Sequence, residues 1–383
     1  MKTYQVGGAI RDELLGLPVK DRDYVVVGST PEEMTRLGFK PVGKDFPVFL
    51  HPQTHAEYAL ARTERKTARG YHGFQVYAEP DVTLEQDLSR RDLTINAIAK
   101  DENGQLIDPY GGEQDLRDKV LRHVSAAFAE DPVRVLRVAR FAARYADFRI
   151  APETMALMRA MASSGEVDAL VAERVWQEFA KGLMEAKPSR MFDVLIAADV
   201  LWRIAPELAA LSMNDPVGER TDRAARDQIP LALRFAILVA TLDARNTTLD
   251  APLQGNRFDN SVLALVQRLR VPRECADMAE LSIRWNEKIK QSRNLDAEGL
   301  LNLLLGADTL RRPVRFRDLL TVSHYLSDGN ASAEIEFLRG AQSHLSDLDI
   351  KSIVANTPSA AQVPALIRAA QLKKISQFIG FPR

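Results

Sequence analysis

The hydrophobic pattern of this chain changes period near residue 126, and that change separates a strand-bearing head from a helical remainder. Upstream, short β-branched runs alternate with glycine, proline and capping signals. Thr3-Tyr4-Gln5-Val6 reads as a short strand broken by Gly7-Gly8, and residues 9–15 as one or two helical turns stopped by Gly16 and Pro18. Tyr24-Val25-Val26-Val27, bounded by Gly28, has the signature of a buried strand. Thr30-Pro31-Glu32-Glu33 starts a helix, with a capping threonine, proline at the first position and acids in the first turn. Residues 46–50 and 58–62 are further strands, and Leu106-Ile107-Asp108-Pro109-Tyr110-Gly111-Gly112 is a strand ending in a turn. The stretch between Arg62 and Gly73, dense in charge and glycine, predicts a mobile loop. Downstream, apolar residues recur every three or four positions, alanine and leucine dominate, and no convincing strand remains. Loop-like breaks fall near Lys187-Pro188 and within residues 213–221 and 246–260. The expected class is therefore α+β, a small mixed-sheet head followed by an all-helical body, and not a doubly wound sheet.

A length of 383 residues allows two or three domains, at about 150 residues each. Hydrophobic content of 46% and charged content of 27% are those of an ordinary globular chain and exclude a collagenous, mucin-like or largely disordered one. The single cysteine, Cys275, excludes an internal disulfide framework and a cysteine-rich zinc site. Residues 1–10 carry no apolar signal region, and no uninterrupted apolar stretch approaches about 18 residues. A cytoplasmic protein without a membrane partner is expected. Lys+Arg 51 against Asp+Glu 52 leaves a net charge of −1, so no global field draws the chain onto nucleic acid. Basic residues are gathered locally instead. Arg62, Arg65, Lys66 and Arg69 lie in the loop, and Arg368, Lys373, Lys374 and Arg383 lie in a final stretch without acids. Each group also reads as an ordinary solvated basic segment.

Asp21-Arg22-Asp23 runs straight into the 24–27 strand. Side chains alternate along a strand, so Asp21 and Asp23 point the same way and Arg22 points away. Adjacent carboxylates repel unless a cation neutralises them, and a hard ion such as Mg²⁺ takes oxygen ligands that it shares with phosphates. About ten residues upstream, Gly7-Gly8-Ala9-Ile10-Arg11-Asp12 offers paired glycines that let backbone N–H groups approach a phosphate, with Arg11 beside them. Taken singly, the acids also fit a solvated strand edge and the glycines a strand–helix joint.

Residues 131–145 form the third constellation. At about 100° per residue, Val135, Leu136, Val138, Ala139, Ala142 and Ala143 share one face, and Arg134, Arg137, Arg140 and Arg144 the opposite one. Pro132 stands in the first turn behind Glu130 and Asp131. An amphipathic helix with a solvated basic face also explains this pattern. A face of arginine alone, however, presents rigid donor forks suited to phosphates and base edges, and Phe141 and Tyr145 flank it for stacking on a base.

These motifs together resemble a known family. Gly7-Gly8-Ala9-Ile10-Arg11-Asp12 and Asp21-Arg22-Asp23-Tyr24 are followed by Arg90-Arg91-Asp92-Leu93-Thr94-Ile95-Asn96-Ala97 and by Asp108-Pro109-Tyr110-Gly111-Gly112 with Asp115-Leu116. Glu130-Asp131-Pro132-Val133-Arg134-Val135-Leu136-Arg137 and Glu173-Arg174-Val175-Trp176 complete the series within about the first 180 residues. The order and spacing resemble the bacterial class II tRNA nucleotidyltransferases, the CCA-adding enzymes, with the related poly(A) polymerases. The resemblance implies a DNA-polymerase-beta-like catalytic head at 1–125, a helical neck at 126–205, a body at 206–330 and a tRNA-binding tail at 331–383. It implies Asp21 and Asp23 as Mg²⁺ ligands, Gly8 and Arg11 at the triphosphate, and Arg91 and Asp92 at ribose and phosphate. A third metal carboxylate is not evident; Glu57, at the 58–62 strand, is the candidate. The implied substrates are tRNA, CTP and ATP, the product pyrophosphate, and the expected oligomeric state a monomer.

The resemblance also makes Asp131 and Arg134 a protein template for the base, with Arg137 and Arg140 holding the triphosphate. Cytosine and adenine present an exocyclic amino donor beside a ring-nitrogen acceptor. Asp131 accepts from the first and Arg134 donates to the second. Uracil and guanine present the reverse, leaving buried groups unpaired at roughly 1–3 kcal/mol each. Glu173-Arg174-Val175-Trp176-Gln177-Glu178 is expected to buttress this helix. The family further implies that the basic loop helps switch between C and A addition and that the tail contacts the tRNA elbow.

Many proteobacterial relatives with this head continue into an HD phosphohydrolase domain. Here the matching stretch is Arg234-Phe235-Ala236-Ile237-Leu238-Val239-Ala240-Thr241-Leu242-Asp243, and no histidine occurs between His123 and His324. The HD region is degenerate, and phosphatase or cyclic phosphodiesterase activity is not expected. His51, His55, His72 and His123 show no ligand spacing. An A-adding or CC-adding enzyme and a poly(A) polymerase share the same head motifs. A catalytically inactive RNA-binding protein is a further reading, against which the intact Asp21 and Asp23 pair argues.

Overall fold

The computed structural model describes residues 1–19, 21–42, 47–66, 74–208, 216–246, 260–357 and 359–380. The chain divides into two compact units, Met1–Ala209 and Ala210–Arg383. The first carries β1 (Lys2–Val6), α1 (Gly8–Leu14), β2 (Asp23–Val27), α2 (Pro31–Arg36), β3 (Lys40–Pro41), β4 (Val48–Leu50) and β5 (Glu57–Leu60). Then come β6 (Thr63–Lys66), β7 (Phe74–Tyr77), α3 (Leu84–Ser89), β8 (Ala99–Lys100), β9 (Leu106–Ile107), α4 (Gly112–Arg117) and β10 (Val120–Leu121). The unit ends with α5 (Val133–Arg144), β11 (Arg149–Ile150), α6 (Pro152–Ser163), α7 (Ala172–Leu183), α8 (Ser189–Ala197) and α9 (Leu201–Ile204).

A seven-stranded mixed sheet in the order β3-β4-β5-β2-β1-β8-β9 forms the head. β1 and β2 pair antiparallel, with Val6 opposite Asp23, and β2 and β5 pair parallel, with Asp23 opposite Glu57. The β-branched run explains why β2 sits centrally. Val26 packs with Met34, Phe39, Phe49 and Leu60, whereas Val25 packs with Val6, Val82, Leu88 and Ala99. Alternation thus buries both faces of β2 in two separate apolar clusters. Thr30 caps α2 by accepting from the Glu33 N–H at 3.2 Å, with Pro31 at its first position.

Two sequence expectations for this unit need correction. The charged stretch after Arg62 is partly an antiparallel hairpin, β6 with β7, registered from Thr63 opposite Tyr77 to Lys66 opposite Phe74; Arg69 and the rest of residues 67–73 lie outside the described residues. A strand does occur beyond residue 126, because β11 pairs parallel with β10 through Val120 opposite Arg149 and Leu121 opposite Ile150. Two-residue strands carry no readable alternation. α3 was not foreseen, although Thr83 and Gln86 cap it reciprocally.

α5 buries Val135, Leu136, Val138, Ala139, Ala142 and Ala143 completely and packs on α7 and α8. The second unit is helical throughout its described residues, with α10 (Pro216–Arg226), α11 (Leu231–Asn246), α12 (Asn260–Leu269), α13 (Arg273–Lys290), α14 (Ala297–Gly306), α15 (Pro313–Leu326), α16 (Ser332–Ser346), α17 (Ile350–Ala355) and α18 (Val363–Gly380). Trp285, Leu300, Phe316, Leu338 and Ile375 anchor one core within it. Residues 216–221, expected in a loop-like break, belong to α10; residues 213–215 and 247–259 of the expected breaks, with Phe46 and Arg383, lie outside the described residues. Among the described residues no helix is long and apolar enough to cross a membrane.

Candidate active site

The first unit holds a cavity of about 510 Å³ lined from three head motifs, those that begin at Gly7, Asp21 and Arg90, and from the helices behind them; the motif from Asp108 to Leu116 does not reach it. Gly7, Gly8 and Arg11 enter from α1, and Asp23 from the mouth of β2. Arg90, Arg91, Asp92 and Asn96 follow α3. Asp131, Arg134, Arg137 and Phe141 come from α5 and its approach, and Arg174, Gln177 and Glu178 from α7.

Glycine is required at the first corner. Gly7 has φ +74° and ψ −137°, and a Cβ there would lie 2.9 Å from Arg91 Nη1. The buried Arg11 guanidinium lies over the Phe141 ring at 5.2 Å and donates from Nη1 to Asn96 Oδ1 at 2.6 Å. Arg90 and Arg91 both reach the fully buried Asp87, at 2.7 and 3.3 Å. Burial opposes the charge on Asp87, yet these two guanidiniums hold its carboxyl below the usual range.

Among the described residues the Asp23 side chain makes no hydrogen bond or ion pair. Partial burial pushes its carboxyl above the usual range; Arg91 pulls it down and Asp21 pushes it up. Asp21, two residues out and exposed, does not line the cavity. Glu57 stands opposite Asp23 in parallel register, on the same face of the sheet, and is also exposed and outside the lining. A carboxylate without a protein partner, next to a second acid and raised by burial, is a donor set that suits a hard divalent cation.

The arginine face of α5 is paired with protein acceptors and not left to solvent alone. Each guanidinium meets an acceptor from another segment. Arg134 donates to the Ala127 carbonyl at 2.7 Å, Arg137 to Asp92 at 2.7 Å, Arg140 to Glu178 at 2.6 Å and Arg144 to Asp12 at 2.9 Å. Asp92 also accepts from the Leu93 N–H at 2.9 Å and from Asn96 Nδ2 at 3.0 Å. Burial raises its pKa, but Arg137 and these donors outweigh that and hold the carboxyl at about 2. Arg140, expected at the triphosphate, does not line the cavity and also donates to Glu185 at 3.4 Å. Tyr145, expected to stack on a base, is itself buried, parallel to Phe141 with ring centroids 6.2 Å apart.

Asp131 takes a bidentate pair from Arg174, Nη1 to Oδ1 at 3.1 Å and Nη2 to Oδ2 at 2.7 Å, and Oδ1 also accepts from the Val133 N–H at 3.1 Å. Sequence reasoning placed Arg174 behind the helix; it lines the cavity and grips the acid. Asp12, Asp87, Asn96 and Glu178 were likewise not foreseen as site residues. The signal for Asp87 was available in its spacing, three and four residues before Arg90 and Arg91 along one helix face.

A mixed sheet with an acidic strand mouth, a glycine corner and an arginine-lined cavity against a buried helix define a nucleotidyltransferase. The family described as the poly A polymerase head domain matches residues 3–122, and that described as the probable RNA and SrmB-binding site of polymerase A matches residues 147–211. The chain is 51% identical over 395 residues to the multifunctional CCA protein of Laribacter hongkongensis, covering 97% of each chain. It is 56% identical to the protein of that name from Methylobacillus flagellatus, over 88% of this chain and 86% of the relative. The chain belongs to the CCA-adding tRNA nucleotidyltransferase family. Its fold is similar to that of the Bacillus stearothermophilus CCA-adding enzyme in complex with CTP, with a TM-score of 0.69 at 23% identity over 98% and 89% of the two chains. The Thermotoga maritima CCA-adding enzyme complexed with tRNA is similar to the same degree, with a TM-score of 0.69 at 22% identity over 100% and 88%.

Proposed function

We propose that this protein adds C, C and A in turn to the 3′ end of tRNA, from CTP and ATP and without a nucleic-acid template, releasing pyrophosphate. The observation that carries the reading is the single cavity that gathers Asp23, Arg91, the Asp92–Arg137 pair and the Asp131–Arg174 pair. The full-length likeness to proteins called multifunctional CCA protein favours complete CCA addition over A-only, CC-only or poly(A) synthesis.

Arg11, Arg91 and Arg137 face the triphosphate from three directions and hold it in line with the RNA terminus. Arg140 supports them from outside the lining through Glu178. An ionised carboxylate has about four lone-pair sites. The three bonds at Asp131 leave one acceptor site on Oδ2, where the amino group of cytosine or adenine fits. Arg134, fixed by the Ala127 carbonyl, donates to the ring nitrogen beside it. Asp23 and Asp21 would hold a divalent cation such as Mg²⁺, which would lower the cost of charge on the attacking 3′-hydroxyl and on the leaving phosphates. The first-unit arginines neutralise what remains on the pyrophosphate.

The test is incubation of tRNA transcripts ending before CCA, at C and at CC with each nucleoside triphosphate. The first two take C from CTP, the third takes A from ATP, and none grows further. Failure of CTP to extend the first two transcripts, or failure of ATP to extend the one ending at CC, replaces this reading with one of the narrower activities.

A further inference from the structure

Asp12 has no place in the reading above, yet its carboxylate ties together two elements beside the cavity. It sits on α1 directly after Arg11, with its side chain only 13% exposed. Its Oδ1 accepts from Arg11 Nε at 2.9 Å and from the Tyr145 hydroxyl at 2.9 Å, and its Oδ2 from Arg144 Nη2 at 2.9 Å. Arg11 Nη2 lies 2.8 Å from the same carboxylate. These donors come from α1 itself and from the end of α5, more than 130 residues later in the chain. Burial and the Asp12 carboxylate raise the Tyr145 phenol to about 12, although Arg11 and Arg144 oppose the rise, so it stays a donor. The Arg11 guanidinium meanwhile lies over Phe141 and Tyr145, at 5.2 and 5.6 Å.

Resting on the nucleotide reading of the cavity, we propose that Asp12 is a positioning residue that locks α1 to the end of α5, so that the phosphate-holding Arg11 and the base-reading start of α5 keep one register. The argument is geometric. Arg11 is aimed by a hydrogen bond and an ion-pair contact to Asp12 and by a hydrogen bond to Asn96, and its Nη2 would lie 3.2 Å from a Cβ at Gly8. The other two bonds on Asp12 fix the last turn of the helix that begins beside Asp131 and Arg134. An acid serving α1 alone would not need Arg144 and Tyr145. Losing it therefore weakens triphosphate binding and base selection together.

The experiment uses the full chain with Asp12→Asn and the milder Tyr145→Phe. CTP affinity is measured by calorimetry, the ratio of kcat/KM for CTP over UTP on a tRNA transcript, and amide exchange in peptides spanning 8–14 and 140–146. For Asp12→Asn the expected result is about a tenfold weaker CTP affinity and about a tenfold smaller C-over-U ratio, the loss of one charge-assisted bond at each end. Both peptides exchange faster. Tyr145→Phe moves all three readouts the same way by about threefold. Weaker CTP binding with an unchanged C-over-U ratio, or faster exchange in one peptide alone, overturns the proposal. If the unaltered protein extends no transcript while both peptides and CTP affinity respond to Asp12→Asn, the lock stands and the assigned reaction falls.

Discussion

Asp131→Asn tests the protein template directly. Asparagine keeps the shape of the side chain and replaces one carboxylate oxygen by an NH2 group. In the native site Oδ1 receives two donors and Oδ2 one, all within 3.1 Å. Wherever the amide NH2 turns, it faces a donor, either the Val133 N–H and Arg174 Nη1 or Arg174 Nη2. The side chain then either loses one arm of the Arg174 pair or swings, and the free acceptor site that admits an amino group becomes ambiguous. An NH2 group at that position accepts uracil through its carbonyl. Each mispaired buried group costs about 1–3 kcal/mol, so the kcat/KM ratio of CTP over UTP falls by about ten- to a hundredfold. The assay is single-nucleotide extension of a transcript lacking CCA, with CTP and UTP in separate reactions. A variant with normal CTP kinetics and an unchanged ratio would refute the reasoning, because Asp131 would then be serving Arg174 and not the base.

Asp23→Asn removes the unpartnered acid at the strand mouth; nucleotide addition drops by about a thousandfold or more, since a bound metal supplies several kcal/mol. CTP binding in calorimetry without divalent ions changes little, and a variant that still extends tRNA would defeat the metal assignment. Asp92 is held at about 2 against an ordinary 3.8. Its lowered pKa stabilises the fold by about 2 kcal/mol above pH ~4, and this is lost as pH falls towards about 2. The stability gap between the native protein and Asp92→Asn in urea titrations therefore narrows across that window, and a gap independent of pH contradicts the Arg137 pairing. Gly112→Ala puts a Cβ 2.2 Å from the Thr94 carbonyl oxygen and 2.8 Å from Ile98 Cγ1. It destabilises the first unit by about 3 kcal/mol, read as a lower calorimetric transition, and an unchanged transition refutes the clash. Purified protein with divalent cations releases no phosphate from a phosphomonoester or a cyclic nucleotide, and sustained release overturns the reading of 234–243 as a degenerate HD stretch.

Local patterns revealed most of the head. β-branched residues announced β2, Thr30-Pro31 announced α2, and the 3.6-residue period announced α5 to within two residues of its ends. The site's membership was legible in the motifs, but its pairing was not. Periodicity shows that four arginines share a face; it does not show that acids from α1, from the segment after α3 and from α7 come to meet three of them. Those partners are 38 to 132 residues away in sequence, beyond the reach of any local rule. Pairing in the tail was out of reach for the same reason. Arg368 pairs with Glu298 and donates to Asn302 at 3.0 Å on α14, partners 70 and 66 residues away within its own unit.

The acid facing Arg137 also bears on turnover. A bare cage of guanidiniums would trap a polyanion and yield it slowly, and each cycle would stall on its own by-product. With Asp92 already beside Arg137, a nucleotide held in the cavity as proposed would share that cation and never own it outright. On that reading the attraction that remains depends on how far Asp92 gives way, and so would the escape of the spent pyrophosphate.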